Sequence, residues 1–185
     1  GEKKPNKVLI SNFREKYLSE LFRLSDGNLF VTDKMPLNFR FIALICSALP
    51  EAKIIHIRRN AAATCWSNYK KYFVSHILKY CYSLEDTVRF YSLYSKIMQF
   101  WQYRYSDQIY NLDYEKLTTE QNYETRKLIS YLGLKWEKAC MYPEKNQRSV
   151  RTASQQQVRQ KVYQGSSEAW RKYQPYLKEA FDKLY

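Results

Sequence analysis

Two adjacent arginines, Arg58 and Arg59, are the residues of this sequence whose type and position most clearly suggest a functional site. They follow a short run dominated by isoleucine, Ile54 to Ile57, and they precede Asn60, a residue type favoured at helix N-caps. This order predicts a buried strand, a basic turn and a helix. Ligands of open parallel sheets bind at the carboxyl ends of the strands, and a helix N-terminus attracts negative charge. The corner therefore suits a phosphate or sulfate group.

The elements that must position this corner are predicted from hydrophobic spacing and from Gly, Pro and Asn signals. Predicted strands cover Leu29 to Thr32, Ile54 to Ile57 and Gln108 to Leu112. Predicted helices cover Phe13 to Phe22, Asn38 to Leu49, Asn60 to about Phe73, Leu84 to Tyr105, Glu120 to Leu132 and Ser166 to Leu184, with a short helix near Glu137. Strands that alternate with helices imply an α/β fold, rich in helix, whose parallel sheet has about three strands.

Length and composition bound the class of protein. The 185 residues can bury one substantial core, which predicts a single domain over residues 1–185 with a flexible N-terminus at residues 1–7. The net charge of +13 favours anionic ligands such as a nucleotide, a nucleic acid, a sulfated glycan or a membrane surface. No apolar run approaches the ~20 residues of a membrane span, and no signal peptide is visible. We therefore expect a soluble, cytoplasmic protein.

Cysteine and histidine give no sign of a metal site. The four cysteines, Cys46, Cys65, Cys81 and Cys140, form no CxxC pair, and three of them lie in apolar helical contexts. We predict reduced, buried thiols. His56 lies inside a predicted buried strand, where a satisfied core histidine is a more common finding than a catalytic base.

Four segments of the sequence carry a resemblance to a known family. They are VTDKMPLNF, IIHIRRNAAATCWSNY, NLDYEKL and RTASQQQVRQKVYQGSSEAWRKY, and they occur in the family's order from about Leu29 to Tyr176. Together they resemble the sulfotransferases, in particular the tyrosylprotein-sulfotransferase and bacterial TPR-linked group. The resemblance implies a P-loop-nucleotide-kinase-like α/β domain that uses 3′-phosphoadenosine 5′-phosphosulfate (PAPS), without a metal, and transfers its sulfuryl group to a hydroxyl or amine.

The resemblance also implies roles for five residues. Arg59 and Ser67 match the family's site for the 3′-phosphate of the nucleotide. Lys34 matches a lysine that stabilises charge on the bridging oxygen as the nucleotide leaves. Tyr114 matches an aromatic residue near the nucleotide, and Ser154 matches a serine in the loop that closes over it. For each residue an ordinary structural role is the alternative: a sheet-edge arginine, a helix-surface serine, a solvated lysine or a core tyrosine.

The sequence departs from the family pattern in the part that would hold the 5′-phosphosulfate. The family's first strand and its GxPRSGTT loop have no counterpart here, because the only glycines are at positions 1, 27, 133 and 165. No residue matches the usual general base, and Ala169 stands where relatives carry a basic residue. We therefore expect a partial sulfotransferase domain that lacks its first strand, binds adenosine 3′,5′-bisphosphate (PAP) weakly at best and transfers sulfate poorly or not at all. The open sheet edge could be filled by a second copy in a homodimer.

Two other classes of function remain open from the sequence. A basic nucleic-acid-binding module is supported by the positive charge and by aromatic residues interleaved with lysine and arginine, as in YKKYF. No recognised nucleic-acid motif is present, so this class is the less favoured one. A non-catalytic interaction domain would keep the fold for partner binding. For an enzyme, the acceptor hydroxyl could belong to a peptide, a carbohydrate or a small molecule.

Overall fold

The structure is a computed structural model that describes residues 6–147 and 157–184. Its regular elements, in chain order, are α1 (Lys7–Ser25), α2 (Ile42–Ala48), β1 (Ile54–Arg58), α3 (Ala61–Tyr69), α4 (Leu84–Arg104), β2 (Ile109–Asp113), α5 (Tyr114–Thr119), α6 (Gln121–Leu132) and α7 (Gln174–Phe181). Short 3-10 helices include Pro36–Phe41, His76–Tyr82, Lys138–Met141, Ala169–Tyr173 and Asp182–Leu184. The described residues therefore form a helix-rich α/β structure.

The chain divides into two compact units. One consists of Gly1–Ile54 with Lys96–Ile109, and the other of Ile55–Ser95 with Tyr110–Tyr185. The prediction of a single domain stays a prediction.

The sheet consists of β1 and β2, which run parallel. Their pairing begins where the Ile54 N–H donates to the carbonyl of Gln108 at 2.9 Å. The chain from β1 to β2 passes through α3 and α4, the crossover that parallel neighbours require. Two of the predicted strands are therefore confirmed in place. β1 is not fully buried as predicted, because Ile55 and Ile57 are 36% and 57% exposed on one face.

The predicted strand from Leu29 to Thr32 is wrong. This stretch has no regular structure and makes no strand pairing with any described residue. Leu29 and Phe30 are 93% and 71% exposed. A run of apolar residues favours a strand only when a neighbouring strand accepts its backbone hydrogen bonds and other elements cover its side chains. The described sheet therefore has two strands instead of about three.

In the first unit, α1 extends beyond the predicted helix at both ends. Asn6 caps it by accepting a hydrogen bond from the Val8 N–H, and Asp26 and Gly27 end it in left-handed conformation at φ 50° and 75°. Arg14 then joins α1 to the end of α2, because its guanidinium donates to the carbonyl of Ala48 and to both carboxylate oxygens of Glu51. The predicted first helix is confirmed.

In the second unit, the start of α3 packs into a small apolar core. Ala62 and Ala63 are 0% and 3% exposed, and the cluster around them contains Cys65, Val88, Trp170, Leu177 and Phe181. Because alanine has no bulk beyond Cβ, the C-terminal segment with Trp170 can lie close against the helix. The alanines that follow Asn60 are thus a packing surface as well as good helix formers.

Prolines lie where two predicted helices differ from the observed ones. The predicted helix Asn38 to Leu49 is a 3-10 helix at Pro36–Phe41 followed by α2. The predicted C-terminal helix, Ser166 to Leu184, is a 3-10 helix at Ala169–Tyr173, then α7, then a second short 3-10 helix. Pro175, near the start of α7, lacks an N–H and clashes with the preceding turn, so one continuous α-helix cannot pass through it.

The remaining helix predictions and the cysteines need little correction. α4 and α6 are confirmed, and Gly133 ends α6 at φ 72°. α3 ends at Tyr69 instead of about Phe73. All four cysteines are free, and Cys140 alone is only half-buried. Burial raises the pKa of Cys65 to about 12, so this thiol stays protonated at neutral pH.

Candidate functional site

The candidate site is the corner between β1 and α3 in the second unit. Asn60 is the N-cap of α3, and its side chain accepts a hydrogen bond from the Ala63 N–H at 2.9 Å. Its carbonyl accepts from the backbone N–H and the hydroxyl of Thr64, both at 2.9 Å. Arg59 therefore stands between the last residue of the strand and the cap of the helix, as the sequence predicts.

The Arg59 side chain is held in place by the C-terminal segment and by Tyr114. Its Nε donates to Oγ of Ser167 at 3.1 Å, and its Nη2 donates to the carbonyl of Ser166 at 2.7 Å. The guanidinium carbon lies 5.0 Å from the centroid of the Tyr114 ring. Arginine has five N–H donors, and these contacts use two of them. Three donors remain to which the described residues supply no hydrogen-bond acceptor.

Glu115, which sequence analysis did not single out, lies at the centre of the same network. Its Oε1 accepts from the backbone N–H of Asn60 at 3.1 Å and, in a short hydrogen bond, from the hydroxyl of Ser167. Ser167 is 5% exposed, and its hydroxyl donates to Glu115 while it accepts from Arg59. One carboxylate thus connects the helix cap to the arginine.

Ser166 and Ser167 were also missed, although the sequence carries a signal for them. Gly165 precedes them with φ 86°, a backbone conformation in which glycine is strongly favoured. The turn closes with a hydrogen bond from the Glu168 N–H to the Gly165 carbonyl at 3.1 Å. Ser166 Oγ also shares a hydrogen bond of 2.9 Å with the Tyr114 hydroxyl. A lone glycine before two serines predicts such a turn, but not which residue the turn will contact.

Of the five residues proposed from the resemblance, the structure brings Tyr114 to Arg59. Ser67 lies in the second turn of α3, where it is half-buried and its hydroxyl makes no hydrogen bond to a described residue. Ser154 lies outside the described residues. The roles of Tyr114, Ser67 and Ser154 in ligand binding stay predictions.

Lys34 belongs to the first unit and lies in the irregular segment that precedes Pro36. It is exposed, and its ammonium group has no hydrogen bond or ion pair with the described residues. The neighbouring Asp33 accepts a hydrogen bond from the Tyr17 hydroxyl at 2.8 Å. Burial and this hydrogen bond raise the pKa of Tyr17 to about 12. The segment is thus held at Asp33, next to a lysine that the described residues do not hold in place.

His56 is half-buried in the second unit and has a hydrogen-bond partner at each ring nitrogen, the satisfied state that the sequence analysis favours. Its Nδ1 lies 2.9 Å from Oδ1 of Asn111 on β2, and its Nε2 lies 2.5 Å from the Tyr94 hydroxyl on α4. A neutral ring that donates from Nδ1 and accepts at Nε2 satisfies both contacts. Burial lowers the pKa of His56, and Arg58 adds to that shift, so the ring is neutral at neutral pH.

Two searches of the described residues bear on other kinds of site. No group of three His, Cys, Asp or Glu side chains within residues 6–147 and 157–184 is placed to hold a metal ion. In the same ranges, no helix combines the length and the apolar character needed to cross a membrane.

Comparison with known proteins agrees with the family that the sequence resembles, and the matched range contains three of the four segments. The model of the sulfotransferase family matches residues 2–138. A protein of Aquifex aeolicus (strain VF5), described as uncharacterized, is 33% identical over 185 residues. The match covers 95% of this chain and 24% of that protein, so the chain spans about a quarter of the length of this relative. The chain belongs to the sulfotransferase family.

Proposed function

We propose that this chain contributes the 3′-phosphate-binding part of a sulfotransferase that uses PAPS and transfers its sulfuryl group to a hydroxyl acceptor. The observation that carries the proposal is the fixed Arg59 side chain at the carboxyl end of β1, three of whose N–H donors meet no acceptor among the described residues. A planar arginine fork suits phosphate oxygens, and a side chain already held in one orientation loses little entropy on binding. Membership of the sulfotransferase family supports this choice of ligand.

The other residues take the roles that the resemblance assigns. The Ser67 hydroxyl adds a hydrogen bond to the 3′-phosphate, and Tyr114 lies beside the nucleotide. The resemblance assigns Ser154, which lies outside the described residues, to contact with the nucleotide. Lys34 stabilises the negative charge that develops on the bridging oxygen when the acceptor oxygen displaces PAP from sulfur. In such an in-line displacement, positioning and charge stabilisation do most of the catalysis.

We further propose that these residues form the family's P-loop-nucleotide-kinase-like fold without its first strand. Two separate observations support this proposal. In the first unit, the apolar residues Leu29, Phe30 and Val31 are exposed on a segment that forms no strand. In the second unit, Ile55 and Ile57 expose one face of β1. Because the sequence has no counterpart of the phosphosulfate loop, we expect these 185 residues alone to bind PAP weakly but saturably. We expect them to transfer sulfate poorly or not at all.

Calorimetric titration of PAP tests the proposal. The chain should bind PAP saturably, and 5′-AMP, which lacks the 3′-phosphate, should bind at least about tenfold more weakly. Arg59→Ala should remove the difference between the two nucleotides. Equal affinity for PAP and 5′-AMP, or no binding by a chain whose circular dichroism shows a folded protein, would overturn the proposal. Binding that falls steeply with salt and is the same for any anion would favour a nucleic-acid-binding module instead.

A further inference from the structure

We infer that Glu115 is a positioning residue that acts on Arg59 through Ser167, and this inference rests on the proposed binding of the 3′-phosphate to Arg59. Glu115 makes no hydrogen bond to Arg59 or to Ser67 within the described residues. Its carboxylate accepts the Ser167 hydroxyl hydrogen, and Ser167 in turn accepts from Nε of Arg59. The direction of these hydrogen bonds is fixed, because a carboxylate can only accept and a guanidinium can only donate.

The hydroxyl of Ser167 cannot also donate a hydrogen bond to a ligand. Its single hydrogen is committed to Glu115, and one of its lone pairs receives Nε of Arg59. Since Ser167 is 5% exposed, removal of its hydroxyl would leave Nε of Arg59 without this partner in a half-buried place. The guanidinium would then be held only by the Ser166 carbonyl and the Tyr114 ring, and would turn more freely.

The same carboxylate also fixes the helix that starts the site. Oε1 of Glu115 accepts from the Asn60 N–H, so the cap of α3 and the C-terminal turn at Ser166 and Ser167 share one anchor. Glu115, which supplies this anchor, directly follows Tyr114 in sequence, and the Arg59 guanidinium lies over the Tyr114 ring. The network thereby connects the end of β2, the start of α3 and the C-terminal segment to one arginine. The affinity for the 3′-phosphate should depend on this network even though Glu115 and Ser167 do not contact the phosphate.

A double-mutant cycle separates positioning from a purely structural role. We expect Ser167→Ala to weaken PAP binding about tenfold and to leave 5′-AMP binding unchanged, since only the 3′-phosphate uses Arg59. In an Arg59→Ala background, Ser167→Ala should have no further effect on PAP affinity. Additive losses in the double variant, or equal losses for PAP and 5′-AMP, would overturn the inference.

Two replacements of Glu115, one that keeps an acceptor oxygen and one that removes it, test the same role. Glu115→Gln keeps an acceptor oxygen for the Asn60 N–H and the Ser167 hydroxyl, so PAP affinity should stay within about threefold of the original chain. Glu115→Ala removes both bonds and should weaken PAP binding about tenfold or more. Equal effects of the two substitutions on PAP affinity would contradict a positioning role. Urea denaturation of each variant, followed by circular dichroism, confirms that the proteins compared are folded.

Two control variants match the chemical changes without touching the network. Glu120→Gln removes an exposed carboxylate near Glu115 in sequence, and Ser92→Ala removes a hydroxyl that donates within α4. Both should bind PAP like the original chain. If the original chain does not distinguish PAP from 5′-AMP, the proposed function fails and this inference with it. If Arg59→Ala removes that distinction while Ser167→Ala leaves its full size unchanged, the inference alone fails.

Discussion

Arg59 and Lys34, the two cations that the family resemblance assigns to one co-substrate, have very different surroundings. Arg59 has two hydrogen bonds to the C-terminal segment and an aromatic ring beneath it. Lys34 is exposed on an irregular segment and has no partner among the described residues. The comparison teaches that the described elements suffice to hold the Arg59 side chain in one orientation. They do not hold the Lys34 side chain in the same way.

The largest expected effect concerns the C-terminal segment, whose serines hold the Arg59 side chain. Trp170, 6% exposed, packs its ring 5.7 Å from that of Phe181 in the core beside α3. Trp170→Ala should lower the free energy of unfolding by about 3 kcal/mol, because it leaves a large cavity there. Urea denaturation measures the change. Tyr176→Ala, in the same segment but 87% exposed, is the control and should cost less than about 0.5 kcal/mol.

The second prediction compares the two cations directly. Arg59→Ala should weaken PAP binding about 100-fold, since hydrogen bonds to a charged group are worth about 1.5–3 kcal/mol. Lys34→Ala should change PAP affinity less than about threefold, because nothing in the described residues holds the lysine in a binding position. Calorimetry measures both affinities. A loss of similar size for the two variants would break the comparison.

The third prediction concerns the acid stability of the second unit. Burial lowers the pKa of His56 in the folded chain, so the unfolded chain binds a proton at higher pH. Stability is therefore complete above the unfolded pKa of about 6.5, and it is lost as the pH falls below that value toward the lower folded pKa. The urea concentration at the unfolding midpoint should decrease when the pH is lowered from about 7.5 to about 5.5, and His56→Gln should make this decrease smaller. His76→Gln, which alters an exposed histidine, should leave it unchanged.

The smallest effect is expected in the segment that carries Lys34. Leu29→Ser should change the free energy of unfolding by less than about 0.5 kcal/mol, because Leu29 is 93% exposed. Met98→Ala, which alters a residue that is 2% exposed in the same unit, should cost about 2 kcal/mol or more. Thermal or urea denaturation of both variants gives the test. A cost for Leu29→Ser near that of Met98→Ala would mean that the segment is packed.

Local sequence patterns predicted most of the helices and strands, and the resemblance pointed to Arg59 and Tyr114 but not to Glu115, Ser166 or Ser167. The isoleucine run, Asn60 and Gly133 each mark a boundary that the structure keeps, because caps and strand propensity depend on near neighbours in sequence. The strand at Leu29 to Thr32 failed because a strand needs a partner that is distant in sequence. The same limit applies to Glu115 and Ser167, whose contact with each other spans 52 positions and leaves no local pattern.

Hydrogen exchange measured by mass spectrometry, with and without PAP, tests the central claim most directly. The claim is that the Arg59 corner binds PAP, while the Lys34 segment, whose proposed role is confined to the transfer step, adds nothing to PAP binding by these residues. PAP should slow exchange in peptides that cover residues 58–64 and 166–170 and should leave peptides that cover residues 28–35 unchanged. Slower exchange at 28–35 comparable to that at 58–64, or no change at 58–64 under saturating PAP, would contradict the account.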